Sequence, residues 1–228
     1  MSFAVKHLAG AWIWGTAWEF RGFFLPILTS SAGSREPDVT PVGQRHGLEL
    51  AILRRRDKSV GSMILRADSE QLIHGVKIAP LNVYVDDRGS FSEVARLGEP
   101  GIAQNMVTDG GRQLQISSTL TYPGAIKAIH YHWRQTDLWI PVAGMLQVFL
   151  YDLRLASLTF GRINTVFTGV LQPWELLIPP GIGHGYKVLG LEPARLLYMT
   201  DRFYDPEEEG RLAYNDPDIA YDWETQHK

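Results

Sequence analysis

The sequence predicts an all-β fold, either a sandwich or a barrel. From residue 75 onward, short apolar and β-branched runs alternate with turn signals made of Gly, Pro and Asp. Many short strands separated by such turns are typical of packed or closed antiparallel sheets rather than of an α/β sheet. The composition agrees, since 45% hydrophobic and 11% aromatic residues in 228 are sufficient for a sizeable core.

The predicted strands follow one another closely after residue 75. Residues 76–85 alternate loosely, and Asp86-Asp87-Arg88-Gly89 is a turn signal that leads to a strand at 91–95. Further strands are predicted at residues 114–121, 127–132, 138–142, 146–153, 166–171, 175–178, 185–189 and 194–200. A short helix at residues 206–211 and an irregular acidic tail complete the predicted domain.

Residues 1–67 have a different character. Residues 8–30 are apolar, but Glu19 and Arg21 interrupt them before they reach the length of about 20 residues that spans a bilayer, so no membrane association is expected. Residues 30–47 have the composition of a linker, and residues 48–56 are predicted to form a short helix.

The predicted domain organisation is therefore an N-terminal extension at 1–67 and a β domain at 68–228. The extension is either disordered or packed on the barrel. A third hypothesis is that it lies upstream of the true start, which would be Met63. The intact mass of the native protein distinguishes this hypothesis from the other two.

Charge and cysteine content restrict the possible partners. The formal charge of −3 and the lack of a long basic run argue against a nucleic-acid partner. Because the chain has no cysteine, it has neither disulfides nor thiolate metal sites, which fits a cytoplasmic location. Any metal would be bound by His and carboxylate side chains.

Residues 124–144 concentrate the candidate chemistry. Alternate side chains of a strand share a face, so His130 and His132 are expected to point to the same side. A hairpin is expected to return Asp137 toward them, and His184 is expected in a turn made by PPGIGHG. Three imidazoles and a carboxylate are thus predicted to share one pocket.

This spacing resembles the first motif of the cupin superfamily of jelly-roll barrels. Gly124, His130, His132, Asp137 and Gly144 fit the motif, with Asp in the place of its usual Glu. The resemblance implies a cupin jelly roll with few short helices.

A second cupin motif is represented later in the chain. Pro179, Gly181 and His184 fit it, whereas Pro173 stands where its opening Gly would be. His184 would therefore share the pocket that the first motif lines.

A more specific resemblance covers residues 75–223. The segments that carry it, in chain order, are DDRGSFSEV, GAIKAIHYH, YDLRLASLTFG, LLIPPGIGHGY, LLYMTDRFYDP and NDPDIAYDW. Together they resemble the dTDP-4-dehydrorhamnose 3,5-epimerases. The resemblance implies an epimerase of a nucleotide-linked 4-keto-6-deoxy sugar, active as a homodimer without a cofactor.

The same resemblance implies roles for individual residues. His130 matches the family's catalytic base and Tyr198 its proton donor. The other positions that match substrate-binding positions, or fall beside them, are Arg88, Glu93, Gln115, Ser117, Lys127, His132, Asp137, His184, Tyr204 and Glu209.

Three departures separate the chain from the family pattern. Asp137 stands where the family has a substrate-binding Lys, and His132 replaces a Gln. The C-terminal segment that supplies the family's base-orienting Asp has no counterpart before Lys228. Asp137 is a candidate substitute for that carboxylate.

These departures leave other readings open. His130, His132, Asp137 and His184 form a possible divalent-metal set, which suits a metal-dependent sugar isomerase or an oxygenase. A non-catalytic cupin that binds sugar nucleotides is a third reading. A histidine pair also occurs in ordinary polar packing, and Tyr198 and Tyr204 could simply fill the barrel.

Overall fold

The computed structural model describes residues 38–97, 101–104, 106 and 114–224. The chain divides into two compact units, Met1–Glu36 and Pro37–Lys228. The first unit lies outside the described residues, and so does the apolar segment 8–30. No helix long and apolar enough to cross a membrane occurs in the described part of the chain.

The described residues form strands and turns and no helix. In chain order the strands are β1 Val39–Arg45, β2 Leu48–Leu53, β3 Ser62–Ile64, β4 Lys77–Pro80, β5 Val83–Asp86, β6 Gly89–Ser92, β7 Gln115–Thr121, β8 Ile126–His132, β9 Asp137–Ala143, β10 Met145–Asp152, β11 Ile163–Gly169, β12 Trp174–Ile178, β13 Ile182–Leu189, β14 Ala194–Thr200 and β15 Glu209–Arg211.

Two sheets form the body of the fold. One has six strands in the order β15-β8-β13-β10-β11-β3, and the other has five in the order β4-β12-β9-β14-β7. All pairings in them are antiparallel except that of β11 with β3. Neighbours in the sheets are mostly distant in sequence, as in a jelly roll, so the predicted all-β jelly-roll class is confirmed.

Strand β10 shows how alternation builds two apolar layers. Leu146, Val148 and Leu150 belong to a core with residues of both sheets, among them Leu176 and Leu196. The intervening Phe149 and Tyr151 belong to a second core on the outer face of the six-stranded sheet. Because successive side chains point to opposite faces, a nearly continuous apolar run fills both layers.

Strands β1 and β2 cover that outer face. Leu50 and Ile52 pack in the second core with Tyr221 and Trp223 of the C-terminal segment. A backbone hydrogen bond from Ala51 to the carbonyl of Leu153 joins β2 to the end of β10.

Several sequence predictions need correction here. Residues 39–45, predicted as linker, form β1, and residues 48–53, predicted as helix, form β2. Leu50 and Ile52, two residues apart, both pack in the second core, which is the spacing of a strand and not of the helix that we expected. The predicted helix at 206–211 is a turn followed by β15. Of the described residues, 39–64 therefore include strands packed on the barrel, within the segment predicted as an extension.

Removal of β1 and β2 should destabilise the fold. A chain that starts at Met63 lacks Leu50 and Ile52, each of which contributes roughly 1.5–3 kcal/mol by burial. We expect it to unfold at markedly lower denaturant than a chain that starts at Pro37, which keeps both strands. Equal unfolding midpoints by circular dichroism would contradict this packing account.

Glu175 on β12 should make stability depend on pH. Its side chain is 9% exposed, its Oε2 has no hydrogen-bond partner, and burial raises its pKa to about 7. An unfolded Glu titrates near 4.5, so between pH 4.5 and 7 the native state holds more protons. Stability should therefore fall as pH rises through that window, by on the order of 2–3 kcal/mol.

The Glu175→Gln variant removes the buried charge and should abolish most of that fall. Urea unfolding at pH 5 and pH 8 measures the change in stability. Glu192→Gln, at an exposed position, is the matched control. A wild-type protein that is equally stable at both pH values would refute the assignment.

Candidate active site

A cavity of about 670 Å³ is lined by residues of both main sheets. The lining residues are Gln115, Thr119, Ile126, Lys127, Ala128, Ile129, His130, His132, Gln135, Asp137, Trp139, Tyr186, Leu196, Tyr198, Thr200, Tyr204, Glu209, Arg211 and Leu212. Its volume suits a small-molecule ligand.

Strand β8 supplies two of the imidazoles. Ile129 and Tyr131 pack in the outer core, which leaves His130 and His132 on the cavity side. His132 is buried and His130 partly buried, with 5.6 Å between the ring centroids. Two histidines therefore stand side by side, as strand periodicity requires.

The third imidazole comes from β13 rather than from a turn. The turn ends at Gly181, and His184 lies inside β13, directly opposite His130 on β8. The two ring centroids are 4.1 Å apart. The expectation of a turn position was wrong because β13 begins three residues earlier than the apolar run from residue 185 indicated.

Asp137 reaches the histidines from the opposite sheet. It is the first residue of β9, in the five-stranded sheet, and not on a hairpin return of β8 as we expected. Its Oδ1 accepts a hydrogen bond of 2.7 Å from Gln135 Nε2, and its Oδ2 accepts one of 3.2 Å from Trp139 Nε1. The carboxylate is buried, and two hydrogen-bond donors hold it in place.

The four side chains form one compact cluster. One potential ligand atom from each of His130, His132, Asp137 and His184 lies within 4.8 Å of all the others. Asp137 Oδ2 is 3.5 Å from His184 Nε2 and 3.7 Å from His132 Nε2.

Burial and mutual charge determine the ionisation of this cluster. Burial lowers the pKa of His130 well below its usual value; His184 lowers it further, and Asp137 opposes both. Burial also lowers the pKa of His132. Burial alone would raise the pKa of Asp137, but its interactions with the His184 and His132 side chains and the hydrogen bond from Gln135 hold it well below its usual range. Neutral His130 and His132 rings beside an ionised Asp137 carboxylate are therefore favoured near pH 7.

Tyr198 lines the cavity from the five-stranded sheet. It lies on β14, paired with Trp139 of β9 and Ser117 of β7. His130 belongs to the other sheet, so an imidazole and a phenol border the same space from two sides.

The rim carries most of the other predicted binding residues. Gln115, Lys127, Tyr204 and Glu209 line the cavity. Gln115 Oε1 accepts a hydrogen bond from the backbone N–H of Tyr204, and its Nε2 donates to Ser117 Oγ. Ser117 itself is not among the residues that line the cavity, and it contacts one of them, Gln115.

Arg88 and Glu93 lie apart from the cavity. Arg88 is on the exposed hairpin of β5 and β6, where it pairs with Asp86. Glu93 follows β6 and pairs with Arg96. Within one chain the structure does not bring these two residues to the site.

The cavity includes residues that sequence reasoning missed. Arg211 lines it because β15 pairs with β8, which places Arg211 opposite His130. Gln135 and Trp139 were not assigned a site role, although both donate to Asp137. In the sequence, Gln135 lies between the His-x-His pair and Asp137, and this position could have indicated a role in the site.

A jelly roll with imidazoles and a phenol around an internal cavity defines an enzyme of the cupin class. Comparison with known proteins identifies the family within this class. The family model for dTDP-4-dehydrorhamnose 3,5-epimerase matches residues 70–228. The chain belongs to this family, and the family predicted from sequence is confirmed.

Individual relatives agree with the family match. The spore coat polysaccharide biosynthesis protein SpsL of Bacillus subtilis is 41% identical over 159 residues, which cover 69% of this chain and all of SpsL. A dTDP-4-dehydrorhamnose 3,5-epimerase of Pseudomonas aeruginosa is 35% identical, covering 63% of this chain and 78% of its own.

A solved structure gives the same result. The 3,5-epimerase RmlC of Legionella pneumophila, in complex with dTDP-4-keto-L-rhamnose, superposes with a TM-score of 0.56 at 27% identity. The match covers 70% of this chain and 82% of that one.

Gly185 permits the close contact of β8 and β13 that the site requires. A Cβ at this position would lie 2.3 Å from Ala128 Cβ and 2.7 Å from the carbonyl oxygen of Lys127. We expect Gly185→Ala to push the two strands apart, costing roughly 1–3 kcal/mol and displacing His130 from His184.

Gly183→Ala, two residues away on the same strand, is the matched control. Its Cβ would meet side-chain atoms of Ile129 and Leu153 at 3.3 Å, which can adjust. Thermal unfolding and ligand binding measure both variants. Equal effects would contradict the special role of Gly185.

Proposed function

We propose that this chain epimerises a nucleotide-linked 4-keto-6-deoxy sugar, with His130 as base and Tyr198 as acid. One observation carries the proposal: the two side chains line one cavity from opposite sheets. Inversion of a carbon beside a ketone requires removal of a proton from one face and its return to the other.

His130 suits the first step. It is partly exposed to the cavity, and burial keeps its pKa low, so the neutral ring has a lone pair available to accept an α-proton. The enolate formed in this step needs a positive or hydrogen-bonding partner at its oxygen.

Tyr198 suits the second step. Its hydroxyl can return a proton to the face of the ring that is remote from His130. A phenol hydroxyl is a hydrogen-bond donor, so it can supply the proton that this step needs.

The nucleotide end is proposed to lie toward the rim. Lys127 and Arg211 are exposed cations beside the cavity and suit a diphosphate. A Lys ammonium lacks the planar fork of an Arg side chain, so Lys127 can bind a phosphate oxygen but not grip it with two parallel bonds. Arg211 is a second cation at the rim, where it is paired with Glu209.

A homodimer would complete the site. The hairpin of β5 and β6 exposes Tyr84, Val85 and Phe91 at 62%, 77% and 67%. Such an apolar surface favours a protein partner. A second copy that receives this hairpin would acquire Arg88 and Glu93 next to its own cavity.

The name of one relative supports a proposal about the pathway. SpsL is named for spore coat polysaccharide biosynthesis. We propose that this chain likewise modifies a sugar nucleotide for a surface polysaccharide, and that it does so in the cytoplasm.

Solvent exchange tests the proposal directly. The protein is incubated in D2O with dTDP-4-keto-6-deoxyglucose, and deuterium at C3 and C5 is followed by NMR. We expect exchange in the wild type and a loss of about 10²–10⁴-fold in His130→Asn. His74→Asn, at an exposed site, is the control. Tight binding without exchange would instead indicate a non-catalytic sugar-nucleotide-binding protein.

Tyr198→Phe should separate exchange from inversion. The base remains, so the α-proton should still wash out into solvent, but the new proton should return to its original face. We therefore expect deuterated substrate with little inverted product. Unchanged product formation by chiral analysis would exclude Tyr198 as the acid.

A further inference from the structure

His184 presents a buried nitrogen that lacks a hydrogen-bond partner. Its Nδ1 lies 2.8 Å from the carbonyl oxygen of Ile182, and since a carbonyl only accepts, Nδ1 carries the proton. In the neutral ring Nε2 then has a free lone pair. This atom is buried and unpaired, and it faces Asp137 Oδ2 at 3.5 Å.

His132 directs a second lone pair at the same carboxylate oxygen. The amide nitrogen of Gln135 lies 3.3 Å from His132 Nε2, and because an amide nitrogen only donates, Nε2 is unprotonated. The distance from His132 Nε2 to Asp137 Oδ2 is 3.7 Å. Two electron-rich nitrogens therefore surround one anionic oxygen, an arrangement that repels unless a cation lies between them.

The distances suit a metal ion. With bonds of about 2.0–2.1 Å, two ligands of a tetrahedral Zn²⁺ lie about 3.3 Å apart. The separations of 3.5 and 3.7 Å come within a few tenths of an ångström of this value. Two neutral imidazoles and a carboxylate are also the ligand types that divalent transition metals prefer.

The surroundings resemble the outer shell of a metal centre. His184 donates its other ring nitrogen to a backbone carbonyl, which fixes the ring and directs Nε2 inward. Gln135 and Trp139 donate to the two oxygens of Asp137 and hold the carboxylate in place. Ligating carboxylates are commonly held in this way.

His130 is placed differently from the other three. Among the described residues, only His132 and His184 contact the Asp137 carboxylate as ion-pair partners. His130 is also the only member of the cluster that is partly exposed rather than buried. It is therefore left free to act on a substrate in the cavity.

We propose that His132, Asp137 and His184 bind one divalent transition-metal ion, and that His130 remains unligated beside it. Binding of the ion is independent of the proposed function, whereas its use in epimerisation rests on that function. A divalent ion supplies Lewis acidity toward a ketone or enolate oxygen. It would thus compensate for the substrate-binding cation that Asp137 replaces.

Metal binding is measured on the full chain, purified without a histidine tag and treated with chelator. Titration with Zn²⁺ alone by calorimetry should give one equivalent per chain, and Co²⁺ should give the visible spectrum of a site with nitrogen and oxygen ligands. His132→Asn, Asp137→Asn and His184→Asn should each weaken binding more than about 100-fold, and Trp139→Phe by about 10-fold. Circular dichroism verifies that each variant is folded.

His130→Asn and His74→Asn are the discriminating variants, and both should keep wild-type affinity. The proposal is overturned if the wild type binds no metal, or if His130→Asn loses the ion. Because these measurements use no sugar, their outcome does not depend on the outcome of the exchange experiment. Exchange by a metal-free protein would refute only the catalytic use of the ion, and metal binding without exchange would refute only the epimerase.

Discussion

The pairing of β8 with β13 is the constraint on which the site depends. It places His130 opposite His184, with the ring centroids 4.1 Å apart, in the interior of a sheet. Two aromatic rings at this distance require the backbones behind them to come close, and Gly185 provides the space. Strand β8 is also fixed from outside, since Ile129 packs in the outer core. The core that stabilises the fold therefore also orients the imidazoles.

Asp137 adds a constraint between the sheets. It begins β9 in one sheet and lies against imidazoles from the other. A buried carboxylate is costly unless it is paired, and here Gln135 and Trp139 each donate a hydrogen bond to it. Replacement of a family Lys by Asp thus changes more than one charge. By the family resemblance, a cation suited to an enolate is exchanged for an anion at this position, and the proposed metal ion would restore the positive charge.

The local sequence pattern predicts much of the candidate site, but it does not predict which strands pair in each sheet. Period-2 alternation placed His130 and His132 on one face correctly, because it depends on strand geometry alone. It could not show that Asp137 comes from the opposite sheet, since β9 pairs with the distant strands β12 and β14.

The missed elements share the same cause. The segment 48–53 is short and apolar, and at that length hydrophobic periodicity alone does not distinguish a strand from a helix. Its packing in the second core is what favours the strand. Arg211 enters the site only through the pairing of β15 with β8. Both features follow from contacts between residues far apart in sequence, which no local pattern records.

The distribution of charge within the cavity argues for one orientation of the proposed substrate. Lys127 and Arg211 are exposed at the rim, whereas Asp137 is buried at the inner end. A diphosphate is attracted by these two cations, and the attraction grows as the dielectric constant falls. The inner end, where His130, Trp139 and Tyr198 line the cavity, suits the uncharged keto sugar. Its ketone then lies near the imidazoles and the phenol, so the same charges that admit the nucleotide also place the reacting carbon.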